Sequence, residues 1–308
     1  MDLRHLRYFV AVVEERHFTR AAERLGIGQP PLSMQIGKLE REIGAPLLRR
    51  LARGVELTEV GALVFENAQQ ILAKVDRMVT DAQRLARGEI GNMTVGFAGA
   101  TYLQPLVPRI IREYRLRYPG VELSPQQSNT PSLLRSLLDG HIDAAFVRPP
   151  IAEADGLEMK LLVQEEMVVV LPEGHALSSR SEAVPLASLT TETFILFPRT
   201  IGAGLYDAVI SGCKHAGFMP KVGQVAPQIA SIVPMVGAGF GVSIVPESLT
   251  QIQVEGVVFL PIAGDSPQAP IGVAWRRHDS SPAVRAFLEV VSRVAREQHA
   301  VKSHAGLV

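Results

Sequence analysis

The first 44 residues carry apolar side chains at helical spacing in three consecutive blocks. The first block covers residues 3–13, with an apolar residue at every third or fourth position, which predicts an amphipathic helix. The second predicted helix covers residues 19–25 and ends at Gly26, because glycine readily adopts the left-handed conformation that closes a helix. The third begins at Gln29, with two prolines in its first turn, and ends at Gly44. Two short helices joined by a tight turn predict a helix-turn-helix.

A short hairpin and a long helix are predicted next. Residues 47–58 place two strand-like pieces around Gly54, which is typical of a small β-wing. Residues 59–88 contain no proline, and at 1.5 Å per residue they would form a rod about 40 Å long. Steps of four and three alternate along it, which is the coiled-coil period and implies a partner helix. An amphipathic helix lying on its own domain is the alternative. The repeat consists of Val64, Ala68, Ile71, Val75, Met78, Ala82 and Leu85.

Beyond Gly88 the pattern changes to strands alternating with helices. This alternation predicts parallel sheets with helices on both faces, and the length allows two lobes with a cleft between them. Predicted strands cover residues 93–97, 121–127, 143–147, 167–171, 194–197, 221–225, 241–245 and 271–275, and predicted helices cover 103–118, 131–138, 206–216, 229–236 and 282–298. The predicted domains are therefore a winged helix-turn-helix at 1–58, a linker helix at 59–88 and a two-lobed α/β domain at 89–301. Lobe I takes about 89–161 and 267–301, lobe II about 162–266, and residues 302–308 form a disordered tail.

The composition and charge of the chain limit the cellular compartment and the partners that we expect. The 308 residues contain no run of about 18 apolar residues, so no transmembrane helix or membrane partner is expected. The first residues carry charge on both sides of a short apolar run, unlike a signal peptide.

The single cysteine, Cys213, cannot form an internal disulfide, which suits the reducing cytoplasm; we interpret it as a small helix residue rather than a redox group. Residues 1–88 hold 14 basic and 11 acidic side chains, a balance of +3 that leaves −3 for the remainder, as suits a polyanion partner at one end only.

Catalytic motifs do not appear in the sequence. The eight histidines are scattered without metal-ligand spacing, and no P-loop lysine motif occurs. The glycine-rich stretch at 237–241 follows a predicted helix and precedes a strand, the reverse of a dinucleotide loop, so we interpret it as a tight turn. Ser243 lacks the second glycine of a nucleophile elbow. The sequence therefore predicts no enzyme, no metal and no cofactor.

Side chains on and beside the third helix are suited to reading DNA. Residues at the start of a recognition helix reach base edges, and neighbouring arginines hold phosphates. Glutamine bonds adenine, and proline or methionine can contact a thymine methyl. Arg49, Arg50 and Arg53 crowd the wing, where arginine suits phosphates or a narrow minor groove, although a solvated charged face is the alternative. The predicted contacts to double-stranded DNA are Gln29, Pro30, Pro31, Ser33, Met34, Gln35, Lys38, Arg50 and Arg53.

These residues also carry a family resemblance. The chain resembles the LysR-type transcriptional regulators through Ala21-Ala22-x-x-Leu25, Gln29-Pro30-Pro31-Leu32-Ser33-x-Gln35-Ile36-x-x-Leu39-Glu40-x-Glu42-Ile43-Gly44 and Leu47-Leu48-x-Arg50-x-x-Arg53-x-x-x-Leu57-Thr58-x-x-Gly61. The resemblance implies a winged helix, a dimerising linker, a sensor domain like the periplasmic binding proteins, a homodimer or homotetramer, and recruitment of RNA polymerase. Residues 3–12 resemble the subgroup that governs benzoate, catechol and chlorocatechol breakdown. Two positions depart from it: Met34 replaces a frequent arginine, and Gly28 replaces a frequent serine, which weakens the N-cap.

The location of the effector site can be predicted from the carboxyl ends of the strands. Ligands of parallel sheets bind at the carboxyl ends of strands, where helix N-termini present free N–H groups. Hydroxyls, capping residues and arginines at these ends favour an organic carboxylate, and the resemblance supports Thr101 and Thr130 as its ligands. A plain helix cap at each threonine, and a structural ion pair at Arg148, are the alternatives. The predicted effector-binding residues are Thr101, Asn129, Thr130, Arg148, Pro198, Arg199, Thr200, Ile201 and Gly202.

The sequence thus predicts an effector-controlled, cytoplasmic transcriptional regulator of aromatic-compound or organic-acid metabolism. A regulator of an unrelated pathway, a solute-binding receptor and an α/β enzyme are the alternatives.

Overall fold

The computed structural model describes residues 1–51, 54–151, 156–179 and 183–305, which divide into two compact units at Arg84 and Leu85. The first unit holds three helices, a two-stranded antiparallel wing and a long helix. Their bounds are α1 Leu3–Glu15, α2 Phe18–Leu25, α3 Gln29–Ile43, β1 Leu48–Arg50, β2 Val55–Leu57 and α4 Glu59–Ala86. No helix in the described part of the chain is long and apolar enough to cross a membrane.

The helix-turn-helix is held by a core that the helical spacing predicted. Phe9, Val12, Leu32, Ile36 and Leu39 are fully or almost fully buried together. The helix α2 begins one residue before the predicted start, because the ring nitrogen Nδ1 of His17 accepts the backbone N–H of Thr19 and caps the helix. These contacts fix α2 and α3 on α1.

The second unit contains two lobes built on separate sheets. Lobe I has a five-stranded sheet in the order β4-β3-β5-β12-β6, and lobe II has a three-stranded sheet, β10-β7-β11, beside a parallel pair, β8-β9. The strands are β3 Ile90–Ala98, β4 Gly120–Ser128, β5 Ala144–Val147, β6 Leu157–Val163, β7 Met167–Pro172, β8 Thr193–Leu196, β9 Lys221–Val225, β10 Ser243–Pro246, β11 Val257–Pro261 and β12 Ile271–Arg276; the α-helices are α5 Leu106–Arg117, α6 Thr130–Leu138, α7 Ala203–His215, α8 Ile232–Gly237 and α9 Pro282–Ala305.

The prediction of parallel sheets was wrong in part. The strand β3 pairs in parallel with β4 and β5, but β12 runs antiparallel between β5 and β6, and the three strands of the lobe II sheet are all antiparallel. The reason is the chain path, since β12 enters lobe I directly from lobe II rather than through a crossover helix. The strands β6 and β11 were also missed, and β6 carries lobe I to Val163, beyond the predicted boundary at 161.

The helices of the second unit differ from their predicted extents, most clearly α5, α8 and α9. A 3₁₀ turn at Thr101–Leu103 precedes α5, and the backbone is extended at Gln104, because the residue before a proline is pushed out of the helical region. A similar turn at Ile229–Ser231 precedes α8. At the other end of the domain, α9 continues to Ala305, so residues 302–305 are helical rather than a disordered tail. Residues 306–308 lie outside the described part of the chain.

Candidate functional site

The outer face of α3 presents most of the residues predicted to read DNA. Gln29, Pro30, Pro31, Met34 and Lys38 are all exposed on it. Gly28 precedes the helix and supplies no side-chain cap, as its missing hydroxyl predicts. The buried side of the helix anchors this face rigidly to the winged unit, so these side chains project from a fixed frame.

The wing braces one flank of α3. The Arg50 guanidinium donates to the Ser33 hydroxyl at 2.7 Å and lies over the Phe18 ring, 4.9 Å from its centroid. The Glu40 carboxylate accepts the backbone N–H groups of Leu47 and Leu48, at 2.8 and 3.2 Å, where the chain enters the wing. Two predicted DNA-binding side chains, Arg50 and Ser33, are therefore hydrogen-bonded to each other.

The other flank of α3 meets the start of α1. The half-buried Gln35 has its side-chain oxygen 2.9 Å from Nε2 of the buried His5. The sequence did not indicate His5 as part of this surface, because the two residues lie 30 positions apart. Arg53, the remaining predicted DNA contact, lies outside the described residues.

A cavity of about 340 Å³ lies between the ends of β3, β4 and β5 in lobe I and the α7 and α8 region of lobe II. It brings together five of the predicted effector residues, Asn129, Thr130, Arg148, Ile201 and Gly202. Its other lining residues are Ala98, Gly99, Gln127, Ser128, Leu205, Pro227, Gln228, Ile229 and Ala230. The segment 226–230 follows β9 and leads to α8, so the strand-end argument that located Asn129 would also have found it.

Two helix N-termini open on this cavity. Asn129 caps α6, its side-chain oxygen accepting the Ser132 N–H at 2.9 Å, and Thr130 is the first residue of that helix. Gly202 precedes α7, which begins without a side-chain cap. The unpaired N–H groups of a first helical turn carry partial positive charge. The cavity wall therefore favours negative charge in the ligand.

Arg148 lines the cavity, but its charge is already matched. Its guanidinium donates to the Glu165 carboxylate at 2.9 Å and to the Ala269 carbonyl at 2.5 Å, and both ionised side chains are more than nine-tenths buried. Burial lowers the pKa of Arg148, and Glu165 opposes that shift. The second Glu165 oxygen accepts the Ser248 N–H at 2.6 Å. The structural ion pair left open by the sequence is thus present.

Four predicted effector residues do not line the cavity. Arg199 makes a two-bond ion pair with Asp207 at the surface, with both distances at 2.7 Å. Pro198 and Thr200 lie in the same short turn, and Thr200 is exposed. The Thr101 hydroxyl is fully buried and has no hydrogen-bond partner among the described residues.

Comparison with known proteins places this geometry in a family. Residues 3–62 match the family described as "Bacterial regulatory helix-turn-helix protein, lysR family", and residues 86–296 match "LysR substrate binding domain". The chain belongs to the LysR family of transcriptional regulators. It is a DNA-binding regulator with a winged helix-turn-helix and a two-lobed effector-binding domain.

Individual LysR-family proteins are similar over almost the whole chain. The HTH-type transcriptional regulator BudR of Raoultella terrigena is 42% identical over 94% of this chain and 100% of its own length. BenM of Acinetobacter baylyi is 34% identical, with 96% of each chain covered. The crystal structure of full-length CbnR complexed with its target DNA superposes with a TM-score of 0.84 at 30% identity, covering 96% of this chain and 100% of CbnR.

Proposed function

We propose that this LysR-family regulator responds to a small organic carboxylate held in the cavity between Thr130 and Gly202. The observation that carries the proposal is the convergence of the α6 and α7 N-termini on one cavity. A carboxylate at a helix N-terminus gains about 0.3–1 kcal/mol, and up to about 2 kcal/mol when partly buried. A cavity of about 340 Å³ lies at the small end of ligand sites and suits a benzoate or a ring-cleavage dicarboxylate such as a muconate.

Neutral donors supply the remaining contacts in this proposal. Because Glu165 neutralises Arg148, that guanidinium is a fixed wall rather than a free cation. The uncharged polar residues that line the cavity are Gln127, Ser128, Asn129, Thr130 and Gln228. Such a site selects an anion by oriented dipoles, so binding is expected to be only moderately sensitive to salt.

Calorimetry with benzoate, muconate and the neutral analogue benzamide tests the effector class. Wild type is expected to bind one or both acids and not benzamide. Thr130→Val removes a cavity hydroxyl and is expected to weaken acid binding by about 3–10-fold, the value of one hydrogen bond. Thr200→Val, which alters an exposed threonine outside the cavity, is the matched control and is expected to bind normally. Equal affinity for benzoate and benzamide would contradict an anion site.

The oligomer is proposed from exposed apolar surfaces. On α4, Ile71, Met78 and Leu85 are exposed. In the sensor, an apolar groove runs along α5 and β4 on lobe I, and Val222 and Val225 are exposed on the edge strand β9 of lobe II. Edge strands with apolar side chains are sites of pairing. These surfaces support a homodimer through α4 and a homotetramer through the sensor domains.

The same proposal covers where the protein acts and how it affects transcription. In this proposal the regulator acts in the cytoplasm, catalyses no reaction and changes the recruitment of RNA polymerase when its effector binds. The proposed pathway is aromatic-compound or organic-acid metabolism, with an unrelated pathway as the alternative. The match of residues 3–62 to a regulatory helix-turn-helix disfavours a solute-binding receptor.

A further inference from the structure

A buried histidine joins the first helix to the side of α3. His5 is 5% exposed, and the two nitrogens of its ring face different partners. Its Nδ1 lies 3.1 Å from the backbone nitrogen of Asp2, and its Nε2 lies 2.9 Å from the side-chain oxygen of Gln35. The ring therefore connects the N-cap of α1 to a residue of the recognition helix.

The Asp2 contact decides which way the Gln35 amide faces. A backbone N–H only donates, so Nδ1 must accept, and the proton of the neutral ring is on Nε2. This Nε2–H needs an acceptor, which is the Gln35 oxygen rather than its amide nitrogen. A protonated ring keeps the same Nε2–H, while its Nδ1–H would face the Asp2 carboxylate at 3.3 Å. In both charge states the NH₂ group of Gln35 is turned away from His5.

We propose that His5 is a positioning residue that fixes Gln35 as a hydrogen-bond donor toward DNA. The proposal rests on the DNA-reading role of α3. Gln35 lies about one helical turn from Pro31 and Lys38, both exposed, so its NH₂ group borders the same face. Bidentate recognition of adenine requires both the oxygen and the nitrogen of a glutamine amide. Because the Gln35 oxygen is oriented toward His5 and shares one of its two lone pairs with it, the outward NH₂ is the group that meets an acceptor on DNA.

Gln29 offers a matched comparison on the same helix. It is exposed, and within the described ranges its amide makes no hydrogen bond. Gln29 therefore keeps both amide groups for adenine. The acceptor met by Gln35 is either a phosphate oxygen or a base acceptor such as guanine O6 and N7 or thymine O4, which share the same chemistry.

The deciding variant is Gln35→Glu in the full chain. A glutamate still offers an oxygen to His5 but replaces the outward NH₂ with a second oxygen. We expect an unchanged melting temperature and a loss of at least about tenfold in affinity for DNA upstream of the gene, measured by fluorescence anisotropy. Gln35→Met, which has no donor, is expected to lose about 3–10-fold. Wild-type affinity of Gln35→Glu would overturn the proposal.

A double-mutant cycle separates positioning from folding. His5→Phe is expected to weaken DNA binding about threefold in the wild-type background, from part of one hydrogen bond, and not further in the Gln35→Met background. An equal loss in both backgrounds would show that His5 supports the domain without acting through Gln35. If His5→Phe fails to fold, Gln35→Glu still decides.

Two further measurements identify the acceptor on DNA and separate a failure of this inference from a failure of the proposed role of α3. Equal losses on upstream and random DNA indicate a phosphate, whereas a loss confined to upstream DNA indicates a base, which substitution by 7-deazaguanine would locate when the acceptor is guanine N7. Gln29→Glu is the control for the proposed role of α3. If Gln29→Glu weakens binding and Gln35→Glu does not, only the His5–Gln35 inference fails; if neither does, the base-reading role of α3 fails.

Discussion

Gly61 lies where α4 leaves the wing, and its backbone nitrogen donates to the Thr58 hydroxyl at 2.9 Å. A Cβ at this position would come within 2.0 Å of the Leu47 carbonyl oxygen. That oxygen is backbone and also accepts the Thr58 N–H, so it cannot move aside easily. Glycine in this first turn of the linker helix α4 is thus required by a close approach of two chain segments.

Gly61→Ala is accordingly expected to destabilise the winged unit by about 1–3 kcal/mol, the usual cost of forcing atoms into a packed site. Thermal unfolding of the full chain would measure it. Gly37→Ala is the matched control, because a Cβ at Gly37 has no atom within 4 Å and alanine favours a helix by about 0.5–1 kcal/mol. Equal effects of the two substitutions would contradict the close approach.

Individual side chains also show which contacts could not be predicted from the sequence and which interpretations agree with the structure. The sequence identified Arg148 at a strand end but not its partner, since Glu165 lies 17 positions away in the connection between the lobes. Burial raises the pKa of the Cys213 thiol to about 11, which keeps it protonated, in agreement with its interpretation as a small helix residue.

Among the elements, α4 packs on its own domain through its first turns only. Val64 and Phe65 pack against the winged core, and Ala68 is buried. Further along, Ile71, Met78 and Leu85 are exposed. The first turns thus lie on their own domain, as the alternative predicted, while the remainder of the helix leaves its apolar repeat exposed and its coiled-coil pairing stays a prediction.

Ile71→Glu is expected to weaken the proposed dimer, because it places a charge in the apolar seam of two helices. Multi-angle light scattering of the purified chain would report a smaller mass than wild type. Gln70→Glu, one position away and outside the repeat, carries the same charge and is expected to keep the wild-type mass. An unchanged mass for Ile71→Glu would show that this part of the repeat is not an interface.

On the scale of the whole sensor unit, the two lobes approach each other at Gly204. A Cβ there would lie 2.1 Å from the carbonyl oxygen of Pro149, which follows β5 of lobe I. Gly204 belongs to the first turn of α7, one of the two helix ends at the cavity. The separation of the lobes at the cavity is therefore set by a position without a side chain.

Gly204→Ala is expected to hold the lobes apart and to weaken effector binding by at least about tenfold, since the two helix ends would no longer act on one carboxylate. Titration calorimetry with the acid that wild type binds would measure the loss. Gly174→Ala, at a lobe II turn where a Cβ meets no atom within 4 Å, is expected to bind as wild type. Unchanged affinity of Gly204→Ala would show that the cavity does not depend on this approach.

The sequence by itself determined the local elements of this protein. Helical spacing, the prolines at the start of α3 and the glycines at helix ends act between residues close in the chain, so the helix-turn-helix, the linker and most strands could be located from them. Once the strands are located, the residues that follow their carboxyl ends can be proposed as ligand-binding residues. Three of these, Asn129, Thr130 and Gly202, do line one cavity.

Only the tertiary structure decided which distant residues meet. The antiparallel insertion of β12, the pairing of Arg148 with Glu165 and the contact of His5 with Gln35 each join segments that no local pattern relates. Burial makes such pairings selective, because a buried charge or donor must find a partner to offset its lost hydration. The sequence supplies the groups that need partners, and the packing of the chain determines which partner each one receives.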